Sequence, residues 1–301
     1  MVGTICVCVL LRGWIIEPLV ILPLTLATIL YLEGLRGLRL RNTRSVWPRS
    51  RTACYLGGIG VLFLALESPI DGYADRLFSV HMVQHTLIMM IAAPLLLLGR
   101  PITLALMGSS GRLHQQVAAT AHSGIAHVLG SPLLGFGSFA IVLWVSHLTW
   151  IYNAALTDNV LHGLEHLAFL IVALVFWWPV VARDPGSARL SHPARLLYLF
   201  LAMPVMSLLG FVVMSSDHVL YVHYIATARV LGVSALADQR LGGAIMWVTS
   251  MLIGTVALSA VLIDWMDRDE KEALRDDARR VRGVSDLRVE PGGRGLEGDG
   301  H

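Results

Sequence analysis

The stretch from Val160 to Ala182 reads VLHGLEHLAFLIVALVFWWPVVA and contains a single charged residue, Glu165. A helix of about 20 apolar residues crosses the hydrocarbon core of a bilayer, so this stretch predicts a transmembrane helix. The composition agrees, because 55% of the 301 residues are hydrophobic and only 15% are charged, against about a quarter in soluble domains. We therefore predict an integral membrane protein. Its net charge of +2 gives no indication of a nucleic-acid partner.

Six other windows have the length and apolar character of a membrane span. The predicted fold is an all-α polytopic membrane bundle of seven transmembrane helices in residues 1–266, followed by a charged cytoplasmic tail, 267–301, that is largely disordered. Pro94 is expected to kink the third span. The seven windows are Trp14–Leu32, Thr52–Ile70, Val80–Gly99, Pro132–Ile151, Val160–Ala182, Leu196–Met214 and Leu241–Ile263.

The distribution of basic residues predicts the orientation of this bundle. Arginines concentrate in segments 33–51 and 183–195, and the tail begins with Arg268 and Lys271. Seven spans place these three segments on one side of the membrane, which the positive-inside rule assigns to the cytoplasm. The N-terminus is then expected outside and the C-terminus in the cytoplasm.

Two histidine pairs lie inside the predicted spans, His81 with His85 and His162 with His166. Residues four apart share one face of a helix, with Cβ atoms about 5–6 Å apart. In the predicted orientation both pairs occupy the first turns of helices that enter from outside, and His147 lies near the outer end of the fourth span. Polar side chains in a bilayer are costly and usually functional, and imidazole binds copper, zinc and iron. We therefore predict a metal site at the outer face, with His147 as a further candidate ligand.

Methionines in the same helices favour copper over other metals, because thioether sulfur selects Cu(I). Met89 continues the helix face that carries His81 and His85, so it is the preferred sulfur ligand. Three further methionines lie in or near the outer halves of spans: Met82, Met214 and Met246.

Longer motifs surround these histidines. They are HMVQHTL at 81–87, APLLLLGRP at 93–101, HLTWIYNAAL at 147–156, HGLEH at 162–166 and FWWP at 176–179. Together they resemble the CtaG-type cytochrome c oxidase assembly factors, which are polytopic bacterial membrane proteins, and the resemblance covers roughly residues 14–265. It implies a non-enzymatic role in maturing a haem–copper oxidase by supplying copper, in the plasma (inner) membrane. The implied partners are the oxidase subunits and the lipid bilayer, and the five histidines named above occupy motif positions.

Two other functions fit the same residues. The HGLEH motif matches the H-x-x-E-H pattern of zinc hydrolases, in which two histidines bind zinc and the glutamate, here Glu165, acts as a base. A haem or redox-carrier protein would need opposing histidines on different helices, such as His85 and His166, and the chain has no C-x-x-C-H attachment motif. Cys6 and Cys8 form a C-x-C pair that is able to bind Cu(I). The simpler interpretation is that both cysteines serve only as small apolar residues near the point where the chain enters the membrane.

Overall fold

The computed structural model describes residues 14, 16–41, 47–181, 184 and 190–287, and this part of the chain contains helices and no strands. It therefore confirms the all-α class. Cys6 and Cys8 lie outside the described residues, as does the tail beyond Leu287.

The described residues form fourteen α-helices and one π-helical segment, Leu87–Ala92, numbered here in chain order. The α-helices are α1 Pro18–Leu40, α2 Arg49–Glu67, α3 Pro69–Ala74, α4 Phe78–Thr86, α5 Ala93–Leu98, α6 Pro101–Gly108, α7 Gly111–Ala121, α8 Gly124–Leu129, α9 Pro132–Ser146, α10 Thr149–Thr157, α11 Asn159–Val181, α12 His192–Met214, α13 His223–Val230 and α14 Ala235–Leu287.

Five helical stretches in the described residues are long and apolar enough to cross a membrane, and a bent pair would make a sixth. They are Pro18–Leu40, Phe78–Gly108, Asn159–Val181, His192–Met214 and Ala235–Asp277, with α9 and α10 as the bent pair. The chain is thus a multi-helix membrane protein. The counterpart of the predicted second span, α2, is not among them, since glycines dilute it and Arg51 and Glu67 lie near its ends. The count of seven and the orientation remain predictions.

The window predicted as one fourth span is broken at His147. Helix α9 ends at Ser146, Leu148 is extended (φ −63°, ψ 127°), and α10 leaves at an angle of 76°. The His147 carbonyl accepts a hydrogen bond from the Tyr221 hydroxyl at 3.2 Å. A tertiary hydrogen bond thus satisfies one of the carbonyls that a helix end leaves without an intrahelical partner. The window predicted as the fourth span, Pro132–Ile151, therefore contains a bent pair of helices, and whether the pair forms one span stays a prediction.

The third predicted span contains a wide turn immediately before Pro94. The chain passes from α4 into the π-helical segment and then into α5, which has Pro94 in its first turn. Proline has no N–H to donate and crowds the carbonyl four residues earlier, and a π turn is one way in which a helix accommodates such a break. The carbonyl of Met89 in this turn accepts instead from Trp177 Nε1 of α11 at 3.0 Å.

Close helix packing brings the later helices together around α4. Helix α12 packs along α14, α4 packs against α14, and α9 packs along α11. A Cβ atom at Gly210 would lie only 2.7 Å from the backbone nitrogen of Trp247, so α12 and α14 approach this closely because the position has no side chain. Helix α14 continues past residue 267, where the tail was predicted to begin.

Candidate metal centre

Two aspartates fix the first turns of the helices that carry the histidine pairs. Asp238 of α14 is buried and accepts the N–H of Phe78, the first residue of α4, at 2.7 Å. Asp158 accepts the N–H of Val160 at the start of α11, at 2.8 Å. A carboxylate at this position satisfies unpaired amides and interacts favourably with the helix dipole. Both histidine pairs follow within the next two turns, so these caps set where the imidazoles lie.

The two pairs meet between α4 and α11, and we call His81, His85, His162 and His166 the histidine cluster. The ring centroids of His81 and His162 are 5.2 Å apart, and those of His85 and His166 are 5.6 Å apart. One donor atom from each of His81, His85 and His166 lies within 4.8 Å of the others, and the same holds for His81, His162 and Glu165. The five side chains thus form two groups of three possible ligands that share His81.

A chain of hydrogen bonds fixes the protonation of His81. The Tyr224 hydroxyl donates to the carbonyl of Ala74 at 3.1 Å, so its oxygen accepts from His81 Nδ1, also at 3.1 Å. Tyr152 lies next to it, with its hydroxyl 3.2 Å from that of Tyr224. Burial raises the pKa of Tyr224, so the phenol stays neutral. His81 therefore carries its proton on Nδ1 and has a lone pair on Nε2, which faces the cluster.

The same reasoning extends to His85 and His147. His85 Nε2 lies 2.8 Å from His81 Nε2, and because His81 Nε2 has the lone pair, His85 Nε2 is the donor. His147 Nδ1 lies 2.8 Å from the carbonyl of Leu143, which only accepts. Its proton is therefore on Nδ1, and Nε2 has the lone pair. Hydrogen bonds from the second ring nitrogen orient imidazoles in this way in protein metal sites.

Several buried polar atoms in this region have no hydrogen-bond partner among the described residues. They are His85 Nδ1, His147 Nε2, His162 Nε2, His166 Nε2 and Glu165 Oε1. Buried polar atoms nearly always have partners, so a group of such atoms needs an explanation. Imidazole nitrogens with one carboxylate form a donor set that fits a copper or zinc ion, and an ion bound between α4 and α11 would give partners to His162 Nε2, His166 Nε2 and Glu165 Oε1.

The other candidate residues lie at different distances from the cluster. His147 is at its edge, with its ring centroid 6.4 Å from that of His85. Met89 lies outside the cluster and lines a separate cavity with His85 and His147. Among the remaining histidines, His223 is partly exposed and bonds to the carbonyl of Asp75, and His114 is exposed with its Nδ1 bonded to a nearby carbonyl.

Sequence reasoning missed the residues that orient the site. Tyr224 and Asp238 lie between the windows predicted as the sixth and seventh spans, and both are buried. No local spacing indicates these contacts, because Tyr221 precedes α13 and only Tyr224 lies within it.

The family comparison agrees with this arrangement. The family described as "Cytochrome c oxidase caa3 assembly factor (Caa3_CtaG)" matches residues 29–268, a range that includes all five candidate histidines and Met89. The chain belongs to this family. The Caa3_CtaG match confirms the resemblance that the motifs indicate, and the printed description of the family is that of an assembly factor.

The curated relatives of this Caa3_CtaG protein are longer than the chain. An uncharacterized protein of Mycobacterium leprae (strain TN) is 28% identical over 79% of this chain and 38% of its own length. An uncharacterized protein of Mycobacterium bovis (strain ATCC BAA-935 / AF2122/97) is also 28% identical, over 86% of this chain and 40% of its own length. The chain thus spans about two fifths of the relatives it matches. No solved structure matches it.

Proposed function

We propose that this assembly factor binds copper as Cu(I) in the histidine cluster and passes it to a subunit of a haem–copper oxidase. The observation that carries the proposal is that four imidazoles and Glu165 form two groups of possible ligands that share His81, with several of their polar atoms buried and unpartnered. Structural metal sites use about four ligands. The four imidazoles and Glu165 are therefore enough ligands for one metal ion.

Delivery requires a site that releases its ion by exchanging ligands. His81 and His85 are buried, whereas His162 and Glu165 on α11 are partly exposed. A donor from a partner protein would therefore replace the α11 ligands first, while the α4 histidines still hold the ion. No bond other than metal coordination forms or breaks in such a transfer.

The proposal also fixes the side of the membrane on which transfer occurs. The histidine pairs lie at the starts of α4 and α11, whereas Arg51 and Arg195 line a cavity at the opposite end of α11, beside Val181. Arginines mark the cytoplasmic side under the positive-inside rule. We infer that the cluster faces the outside of a bacterial plasma membrane, where it would receive and deliver copper.

Metal analysis of the detergent-purified protein tests this function. We expect the wild type to retain copper after incubation with Cu(I), and the His81→Ala/His85→Ala variant to lose most of it. The matched control is His114→Ala/His122→Ala, which removes two exposed histidines whose Nδ1 atoms bond only to nearby carbonyls. Equal copper in all three proteins would contradict the proposal.

A cellular assay tests the role in oxidase maturation. His166→Gln and His85→Ala should leave the protein inserted in the membrane but abolish oxidase activity, since both remove ligands without adding a charge to the bundle. Normal oxidase activity with both variants would overturn the delivery role.

A further inference from the structure

A second group of soft donor atoms lies next to the histidine cluster, around a small internal cavity that we call the methionine cavity. Its volume is about 40 Å³, and it lies between α4, the π-helical segment, α9, α12 and α14. Five of the chain's 11 methionines line it. They are Met82, Met89, Met90, Met206 and Met246.

The hydroxyl groups around the methionine cavity are engaged elsewhere. Thr86 Oγ1 donates to the carbonyl of Met82 at 2.8 Å, and Ser250 Oγ donates to that of Met246 at 2.6 Å. Both bonds run back into the residue's own helix, so neither hydroxyl proton is directed at the cavity. The softer ligand atoms in the lining are the thioether sulfurs and imidazole nitrogens.

Two buried histidines complete the lining. His147 has its proton on Nδ1, and its Nε2 has no partner. His85 uses Nε2 to donate to His81 in the histidine cluster, so its lone pair is on Nδ1, which is also buried without a partner. Buried polar atoms in a protein core nearly always have a hydrogen-bond partner. Two unpartnered imidazole lone pairs beside five thioethers therefore indicate a binding site.

We propose that the methionine cavity is a second Cu(I) site, separate from the histidine cluster and sharing His85 with it. The choice of metal rests on the proposed function above. Thioether sulfur is a soft ligand that selects Cu(I) over zinc and magnesium, so the methionines would give this site a selectivity that imidazoles alone do not supply.

His85 couples the two sites because it has one ring nitrogen available to each. A neutral imidazole carries one lone pair, so His85 ligates either the histidine cluster through Nε2 or the methionine cavity through Nδ1. When it changes site, its proton moves to the nitrogen that is released. The remaining ligands hold each ion during the exchange: His81, His162 and His166 on one side, and His147 with the methionines on the other.

The test is an anaerobic Cu(I) titration of the full chain in detergent against a chromophoric Cu(I) chelator, with X-ray absorption at the copper edge. The test variant is Met206→Leu/Met246→Leu. The control is Met203→Leu/Met251→Leu, which makes the same exchange on the same two helices at positions outside the cavity lining. Methionine and leucine have similar volumes, so both variants are expected to fold.

We expect two Cu(I) ions per chain and a sulfur signal in the wild type and in the control. The Met206→Leu/Met246→Leu variant should bind one ion with nitrogen and oxygen neighbours. Retention of both ions and of the sulfur signal in that variant would overturn the second site, and so would the absence of sulfur neighbours in the wild type.

A third variant separates this inference from the proposed function. His81→Ala/His162→Ala removes the histidine cluster and should keep one ion with sulfur neighbours in the methionine cavity. If that ion is retained while the variant still matures the oxidase, the delivery role fails and the second site stands. If the wild type binds copper through nitrogen and oxygen alone, the second site fails and the delivery role stands.

Discussion

At the scale of single residues, a tyrosine outside the cluster decides which nitrogen of His81 faces it. Because Tyr224 donates to the carbonyl of Ala74, its oxygen accepts the Nδ1 proton of His81. The Nε2 lone pair then points at His85. A site of neutral imidazoles needs such partners, since an unrestrained ring would present the wrong nitrogen half of the time.

Removal of this hydroxyl tests its role. Tyr224→Phe should lower the affinity for Cu(I) by roughly 10- to 100-fold, which is the usual effect of losing a group that orients a metal ligand. Tyr198→Phe is the control, because it also removes a buried hydroxyl that donates to a carbonyl, that of Phe176 at 3.0 Å, but does so away from the cluster. Equal affinities of the two variants in chelator competition would refute the orienting role.

Asp71 gives the protein a pH-dependent stability. Burial raises the pKa of this carboxyl to about 6, against the opposing effect of the Gln84 amide, which donates to it at 2.7 Å. The folded state therefore binds a proton more tightly than the unfolded state does. Below about pH 4 the carboxyl is protonated in both states and does not change the free energy of unfolding. As the pH rises from there through about 6, ionisation of Asp71 lowers the free energy of unfolding.

Substitution of Asp71 by Asn should remove this dependence. The Asp71→Asn variant is expected to match the wild type in Tm near pH 4 and to exceed it by a few degrees near pH 8. Asp217→Asn, at an exposed residue paired with Arg240, controls for general charge effects. If the Tm of the wild type instead rises relative to that of Asp71→Asn as the pH increases, the predicted effect of Asp71 on stability is wrong.

The sequence predicts the histidine pairs but not the residues that hold them. The i,i+4 spacing of His81 with His85 follows from helix geometry alone. That the two pairs face each other depends on how α4 packs against α11, which no local pattern encodes. Tyr224 lies 143 residues from His81 along the chain, so its contact belongs to the tertiary fold.

At the scale of elements, the start of α4 depends on a cap from another helix. Asp238 of α14 accepts the backbone N–H groups of Phe78 and Ser79, the first two residues of α4. The carboxylate thus replaces the local side chain that caps a helix in most proteins. This contact ties α14 to the turn that presents His81.

Loss of this cap should affect both stability and metal binding. Asp238→Ala is expected to cost about 1–2 kcal/mol, as other cap removals do, and to weaken Cu(I) binding because the first turn of α4 loosens. Asp267→Ala changes an exposed residue of the same helix and serves as the control. Thermal unfolding and chelator competition measure the two effects, and an unchanged Tm in Asp238→Ala would contradict the capping role.

Hydropathy predicts where most helices lie and misses how they are interrupted. The windows over Val160–Ala182 and Leu196–Met214 coincide closely with α11 and α12. The break at His147 and the π turn before Pro94 occur inside apolar stretches, where average hydropathy does not change. These two irregularities bring His147 and Met89 to the methionine cavity, so the elements nearest the site were the hardest to predict.

At the scale of the whole molecule, the account requires the two ends of the bundle to face different compartments. The histidine pairs begin α4 and α11, and Arg51 and Arg195 lie at the other end, while Arg76 lies two residues before α4. If the N-terminus is outside and α2 also crosses the membrane, as the seven-span prediction requires, the histidine end is extracytoplasmic.

Reporter fusions test this orientation. A fluorescent protein that matures only in the cytoplasm should be bright when fused after residue 301, and a phosphatase that is active only outside should be active when inserted after Ser216. The same reporters exchanged between the two positions are the controls and should both be silent. The reverse pattern would place the histidine cluster in the cytoplasm and contradict the proposed direction of delivery.

The central claim is that imidazoles from α4 and α11 bind one copper ion together. Its most direct test is anomalous diffraction at the copper edge from crystals of the copper-loaded protein. The account predicts a peak coordinated by His81 or His85 of α4 and by His162 or His166 of α11. Copper peaks elsewhere, with no density between these two helices, would contradict it.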